Sequence, residues 1–283
     1  MERYVVPALG RIQLRELERG HIRGLAADLL GKLSRKSTRL VLGTLHTCLQ
    51  DAVEDGLLLT NPAAQGRSLL RKVEPEPAAV EERVRAMDRE QLQVFLSIAL
   101  KHEARLHPIL YLMSRTGARV GEALGLQWPD LDWRRGQARI CRQIVGNKRL
   151  EYPKTSKTRA VDLSSSLQEI LKTWDRDTAA GWLERGKPRP DWIFPTRTGT
   201  SMTRYYITKV MNRILRKAGL PHFSPHDLRH TYASQLLQQG ESPAYVQRQL
   251  GHSDIRLTTG LYGRWLPTEN RAAVDRLDEE KAR

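Results

Sequence analysis

Apolar residues recur at helical spacing from Ser37 onward, at Val41, Leu45, Cys48, Leu49, Ala52 and Val53, and the run stops near Gly56 in "EDG". Spacings of three and four turn one side of a segment toward a core, so a helix ending at a glycine stop is predicted. A second run opens at Asp88, an N-cap with Gln91 at the matching box position, and continues through Phe95, Ile98 and Ala99 towards "PILYLMSRTG". The pattern then changes. "ARICRQIV" alternates imperfectly, Gly146 and Asn147 form a turn pair and "RAVDL" reads as a short strand, which together predict a small antiparallel sheet. Helical spacing returns in "LQEILKTW", where Ser165 and Gln168 read as a capping box, and in "YYITKVMNRILRKAGL", which stops at Gly219. In "SPHDLRHTYASQLLQQG" Ser224 is an N-cap, Pro225 suits the first helical position and Asp227 completes a box.

Between the first two runs "RKVEPEPAAVEERVRAM" mixes charge with two prolines and has no period, so it reads as a linker. The predicted organisation is a helical domain over residues 1–73, a linker over 74–85 and a mostly helical domain with a minor sheet over 86–283. The fold class is therefore mainly α with an α+β second domain, and 283 residues are enough for two cores.

Charge narrows the partners. Lys and Arg number 47 against 32 Asp and Glu, a formal net charge of +15, which favours a polyanion. Two charge placements sharpen this. His226 and Arg229 lie three apart near a helix start, where added positive charge is unfavourable unless something negative is bound. Arg35, Lys36 and Arg39 in "SRKSTR" crowd another helix start in the same way, and a DNA phosphate nearby would resolve the conflict. Cys48 and Cys141, the only cysteines, exclude a disulfide framework and a four-cysteine zinc site, and read as buried thiols in a reducing compartment. No signal peptide, apolar run of ~20 residues or Walker-type loop is present, so a soluble cytoplasmic protein without nucleotide chemistry or membrane partner is expected. His226 and His230 have the i, i+4 spacing of a zinc site, but Asp227 stands where the metalloprotease motif needs glutamate and no third ligand is evident. No metal is expected, and His230 reads as structural.

Five separated motifs complete the picture: "TGARVGE" with Arg119 and Glu122, "PKTSKTR" with Lys154, "HDLRH" with His226 and Arg229, "LGHSD" with His252, and "LYGRW" with Tyr262. In order and spacing they resemble the tyrosine recombinases, the phage-integrase family, and "PALGRIQLRELERGHIRGL" with "AVEDGLLLTNPA" is similar to that family's core-binding domain. The resemblance implies a C-shaped clamp of two domains on duplex DNA, a homo-tetramer during recombination, no cofactor, and a site at the bacterial nucleoid. It implies Tyr262 as a nucleophile that stays attached to the cut strand, in place of Tyr205, Tyr206, Tyr232 or Tyr245. Arg119 and Arg229 would clamp the phosphate oxygens, His226 and His252 would add donors or move the tyrosine proton, and Glu122 would orient Arg119. Lys154, five residues before Arg159, would protonate the leaving oxygen, with Lys157 a rival that otherwise contacts phosphate.

Two departures from the family pattern are visible. Arg264 stands where many relatives have histidine, and the opening "MERYVVPALG" leaves the usual first helix of the core-binding domain unaccounted for. Three activities fit the motifs: an integrase-type recombinase working through a 3′-phosphotyrosine, a strand-relaxing enzyme of the type IB topoisomerase kind, and an inactive DNA-binding remnant.

Overall fold

The computed structural model describes residues 1–64, 84–146, 148–151 and 158–266. The chain divides into two compact units, Met1–Ala79 and Val80–Arg283. The expected linker falls almost wholly on residues 65–83, outside the described residues.

In the first unit a short helix α1 (Val5–Leu9) precedes α2 (Arg19–Lys32) and α3 (Arg35–Glu54). The α3 helix begins two residues before Ser37 because Ser34 is its N-cap, accepting from the Ser37 amide at 3.2 Å. Its buried stripe is Thr38, Leu42, Leu45 and Leu49, which meets Ile22, Leu25, Ala26 and Leu29 of α2. Cys48 lies one step off that stripe and is exposed, so it is not the buried thiol expected. Arg35, Lys36 and Arg39 all fall in the first turns of α3, the last two exposed. Past its end, the Asn61 amide reaches back to the His46 carbonyl at 3.0 Å and Gln50 at 3.2 Å.

The second unit is built around α5 (His107–Thr116), which packs against α4 (Arg89–His102), α6 (Val120–Gly125), α7 (Ser165–Leu183) and α9 (Pro225–Gln238). Asp88 and Gln91 form the expected box, at 2.7 and 3.2 Å. The long run toward "PILYLMSRTG" is two helices, because the chain turns at Glu103–Leu106 and restarts with Pro108 in the first turn of α5. The cap of α7 is Ser164 instead of Ser165, and Gln168 turns to the Leu163 carbonyl. Helices α8 (Arg204–Lys217), α10 (Pro243–Leu250) and α11 (Ile255–Tyr262) complete the unit.

"ARICRQIV" is not one strand. β1 (Leu131–Asp132), β2 (Gln137–Ile140) and β5 (Arg159–Asp162) form one antiparallel sheet in that order, while β3 (Arg142–Val145) pairs with β4 (Lys148–Glu151). The break falls at Cys141, half-buried, whose Sγ lies 3.4 Å from Asp130. Beyond it β3 runs over α6, where Gly121 and Gly125 leave room for the β3 backbone. Among the described residues no helix is long and apolar enough to cross a membrane.

Gly121 yields a test of this packing. Alanine in place of a helical glycine ordinarily stabilises by about 1 kcal/mol. Here a Cβ would sit 2.6 Å from the Ile144 carbonyl oxygen, a backbone atom that cannot rotate away. Gly121→Ala is expected to reverse the sign and destabilise by about 1–3 kcal/mol, lowering Tm by about 2–4 °C per kcal/mol in a thermal melt.

Candidate active site

The site starts from a sharp turn. Helix α5 ends at Gly117, left-handed at φ 63°, and two residues later Arg119 is the N-cap of α6. This puts Glu122 in the first turn, its carboxylate accepting from the Arg119 amide at 2.9 Å and from the Arg119 guanidinium at 3.0 Å. Glu122 therefore holds both backbone and side chain of Arg119, a tighter arrangement than two residues sharing a helix face. The same carboxylate receives a bidentate pair from Arg159 of β5, at 3.0 and 2.7 Å. Burial pushes the Glu122 carboxyl up, but the Arg159 pair and Arg119 outweigh it and hold the pKa at about 2.

Arg159 is fixed at its other end by the Gln249 carbonyl, 2.8 Å from Nε. The Gly251 turn that follows, at φ 67°, passes so close that a Cβ there would lie 2.8 Å from the Arg159 Cδ. In the sequence Arg159 stands out only as the arginine five residues after Lys154. Its contact with Glu122 spans 37 residues, and no local spacing signals it.

Arg229 on α9 is 1 % exposed. It donates to the Gly117 carbonyl at 2.9 Å and the Leu250 carbonyl at 2.7 Å, the C-terminal ends of α5 and α10, where the helix dipoles favour a cation. Gly117 is needed twice over: its φ is positive, and a Cβ would lie 2.6 Å from both Tyr232 and Leu250. Burial, then Arg119, lowers the Arg229 pKa to about 10, so the group stays charged at neutral pH.

Three histidines surround these cations. Loss of hydration first, then Arg229 and Arg119, depress His226, while burial followed by Arg229 and Arg119 brings His252 to about 4. His252 Nδ1 lies 2.8 Å from the buried Thr258 hydroxyl. His230, buried under the edge of the His226 ring at a centroid distance of 4.7 Å, is also held at about 4, by burial first and then His226. Tyr262 is 1 % exposed, and its ring lies near His252 and Trp265. Its hydroxyl meets His230 Nδ1 at 2.7 Å. Burial raises the phenol to about 12 against the pull of Arg229 and Arg119. His230, read from the sequence as structural, thus has a direct polar contact with Tyr262.

Arg119, Glu122, His226, Arg229, His252 and Tyr262 all meet in one place, while Lys154 and Lys157 lie outside the described residues. Tyr205 is 77 % exposed, and the Tyr245 hydroxyl donates to Asp162 at 2.8 Å. Arg264 donates to the Val84 carbonyl at 2.6 Å and stacks on Trp265. Among the described residues no three of His, Cys, Asp and Glu converge so as to hold a metal ion.

The model of the phage integrase family matches residues 85–267, and the chain belongs to that family. It is 29 % identical over 264 residues to a tyrosine recombinase XerC-like protein of Caldanaerobacter subterraneus subsp. tengcongensis, covering 87 % of this chain and 66 % of that one. It is 24 % identical to the ICEBs1 integrase of Bacillus subtilis, again covering 87 % and 66 %. The chain thus spans about two thirds of the length of these relatives. The Tn1549 transposon integrase, solved in complex with a circular intermediate DNA, superposes with a TM-score of 0.70 at 21 % identity, over 92 % of this chain and 85 % of that one. That likeness establishes the fold.

The charge balance around Glu122 predicts the acid behaviour. A carboxyl held at about 2 instead of 4.5 contributes about 3 kcal/mol of stability, present above pH 4.5 and lost as pH falls toward 2. His230 and His252, lowered from 6.5 to about 4, add a separate loss between those values. Glu122→Gln is expected to cost about 3–5 kcal/mol at pH 7 by leaving Arg159 uncompensated. In urea titrations it should lose the part of the acid limb below pH 4.5 and keep the part above.

Proposed function

We propose that the protein is a site-specific DNA recombinase that cuts and rejoins strands through a 3′-phosphotyrosine on Tyr262. The observation that carries this reading is the convergence of Arg119 and Arg229 with the Tyr262 hydroxyl at a site where three guanidinium groups share the single carboxylate of Glu122. A phosphodiester is the anion such a site suits, because attack spreads charge over its oxygens and fixed guanidinium groups stabilise that charge. The names of the relatives as recombinases and integrases, and the DNA in the Tn1549 complex, support the choice of substrate.

In this reading Arg119 and Arg229 hold the non-bridging oxygens, Glu122 positions Arg119, and His226 and His252 line the rim through which the phosphate reaches the buried Arg229 and Tyr262. Tyr262 attacks phosphorus, the 5′ oxygen leaves, and Lys154 protonates it, with Lys157 on a neighbouring phosphate. The phosphotyrosine keeps the bond energy for rejoining to a new 5′ hydroxyl. Arg35, Lys36 and Arg39 contact the DNA backbone from α3. Exchange between two duplexes cuts four strands, each by one tyrosine, so a homo-tetramer on bacterial chromosomal DNA is the working form.

Two measurements test the assignment. Tyr262→Phe is expected to bind duplex DNA as the parent does yet form no covalent adduct on a nicked suicide substrate; an adduct in this variant would move the nucleophile elsewhere. The acid is tested by replacing the bridging 5′ oxygen with sulfur, which leaves readily without a proton. Lys154→Ala is expected to slow cleavage of the oxygen substrate by about a hundred- to ten-thousand-fold and to recover on the sulfur substrate. Lys157→Ala should be equally impaired on both, and the opposite pattern would exchange their roles.

A further inference from the structure

Among the described residues the Tyr262 hydroxyl bonds to His230 Nδ1, one position past Arg229 and at neither of the family's two histidine positions, 226 and 252. We propose that His230 Nδ1 is the acceptor of the Tyr262 phenolic proton during attack, a role that rests on the reading of Tyr262 as nucleophile. A candidate base has to lie within hydrogen-bond reach of the proton it takes, and 2.7 Å satisfies this. The other two histidines are placed differently: the His226 ring meets His230, and His252 Nδ1 is engaged by Thr258 while its ring stacks at 6.5 Å from the Tyr262 ring. Burial fixes the pair, since His230 is 9 % and Tyr262 1 % exposed.

The surroundings keep the imidazole in the neutral form that an acceptor needs. His230 is faced by His226, Asp227 and Arg229 on its own helix and by Tyr262 and His252 from the segments packed over it. Burial and the cationic neighbours keep its imidazole neutral at pH 7, which leaves a nitrogen lone pair able to accept the phenol proton. A phosphodiester entering beside Arg229 opposes those cations and strengthens the base at the moment it is used. The step balances: the Tyr262 oxygen bonds to phosphorus, its proton passes to His230 Nδ1, the bond from phosphorus to the 5′ oxygen breaks, and that oxygen takes a proton from the acid. Cleavage leaves an imidazolium, and rejoining returns its proton to the departing phenolate.

Asparagine separates a base from a packing group, because its amide oxygen falls near the position of Nδ1 and accepts a hydrogen bond but takes no proton. His230→Asn is expected to slow adduct formation on the suicide substrate by about a hundred- to ten-thousand-fold with DNA binding retained. Its rate should lose the rise with pH that the parent shows as the histidine deprotonates. His230→Ala should be partly restored by added imidazole. Parent-like rate and pH profile in His230→Asn would overturn the proposal, as would ¹⁵N spectra of histidine-labelled protein showing the proton on Nδ1 of His230 instead of Nε2. The spectra need no turnover, with His230→Asn supplying the assignment. An adduct persisting in Tyr262→Phe is a different result: it sinks the nucleophile assignment and leaves the tautomer reading to stand or fall by the spectra.

Discussion

Glu122 lies buried between Arg119 and Arg159, with Arg229 close by, and its single negative charge is shared among three guanidinium groups. Everything near it adjusts to that imbalance. The carboxylate fixes the α5–α6 turn by taking the Arg119 amide, ties β5 to α6 through Arg159, and through Arg159 reaches the Gln249 carbonyl at the end of α10. One buried group therefore joins the three segments that carry the site, and its loss would unfasten them together.

Arg229 is held differently, by carbonyl groups instead of a carboxylate. Gly117 and Leu250 supply two neutral acceptors at helix C-termini, which satisfy its donors without cancelling its charge. A second carboxylate there would have made the region neutral and removed its preference for an anion. The two glycine turns serve the same end: Gly117 and Gly251 let backbone approach Tyr232, Leu250 and Arg159 more closely than any side chain would allow.

The motifs around Arg119, Glu122, His226, Arg229, His252 and Tyr262 were legible because each is local, a few residues whose types and order carry chemistry. Arg159 and His230 were not, and for different reasons. Arg159 acts through a contact 37 residues away in sequence, and only the sheet register, with Ile140 opposite Arg159, brings it to Glu122. His230 sits in plain view within "HDLRH", but its partner is on α11, 32 residues on, and no local spacing connects the two. Helix boundaries missed by a residue or two: α3 starts ahead of the apolar run because Ser34 caps it by accepting from the Ser37 amide, and at α7 two adjacent serines, Ser164 and Ser165, offer one cap between which only backbone geometry chooses. The alternation across "ARICRQIV" is imperfect because the stretch is two strands, and β3 follows the glycine face of α6 instead of the core sheet.

The neutral histidines complete the electrostatic logic. Burial first, and the charged and imidazole neighbours after it, depress His226, His230 and His252 alike. An anion that enters reverses the sign of that influence: it screens the guanidinium groups from the imidazoles and raises their proton affinity. Filling the site and charging its histidines are therefore thermodynamically linked, each favouring the other. Without an anion the three histidines are neutral beside charged guanidinium groups, and a bound anion raises the readiness of each imidazole to take up a proton.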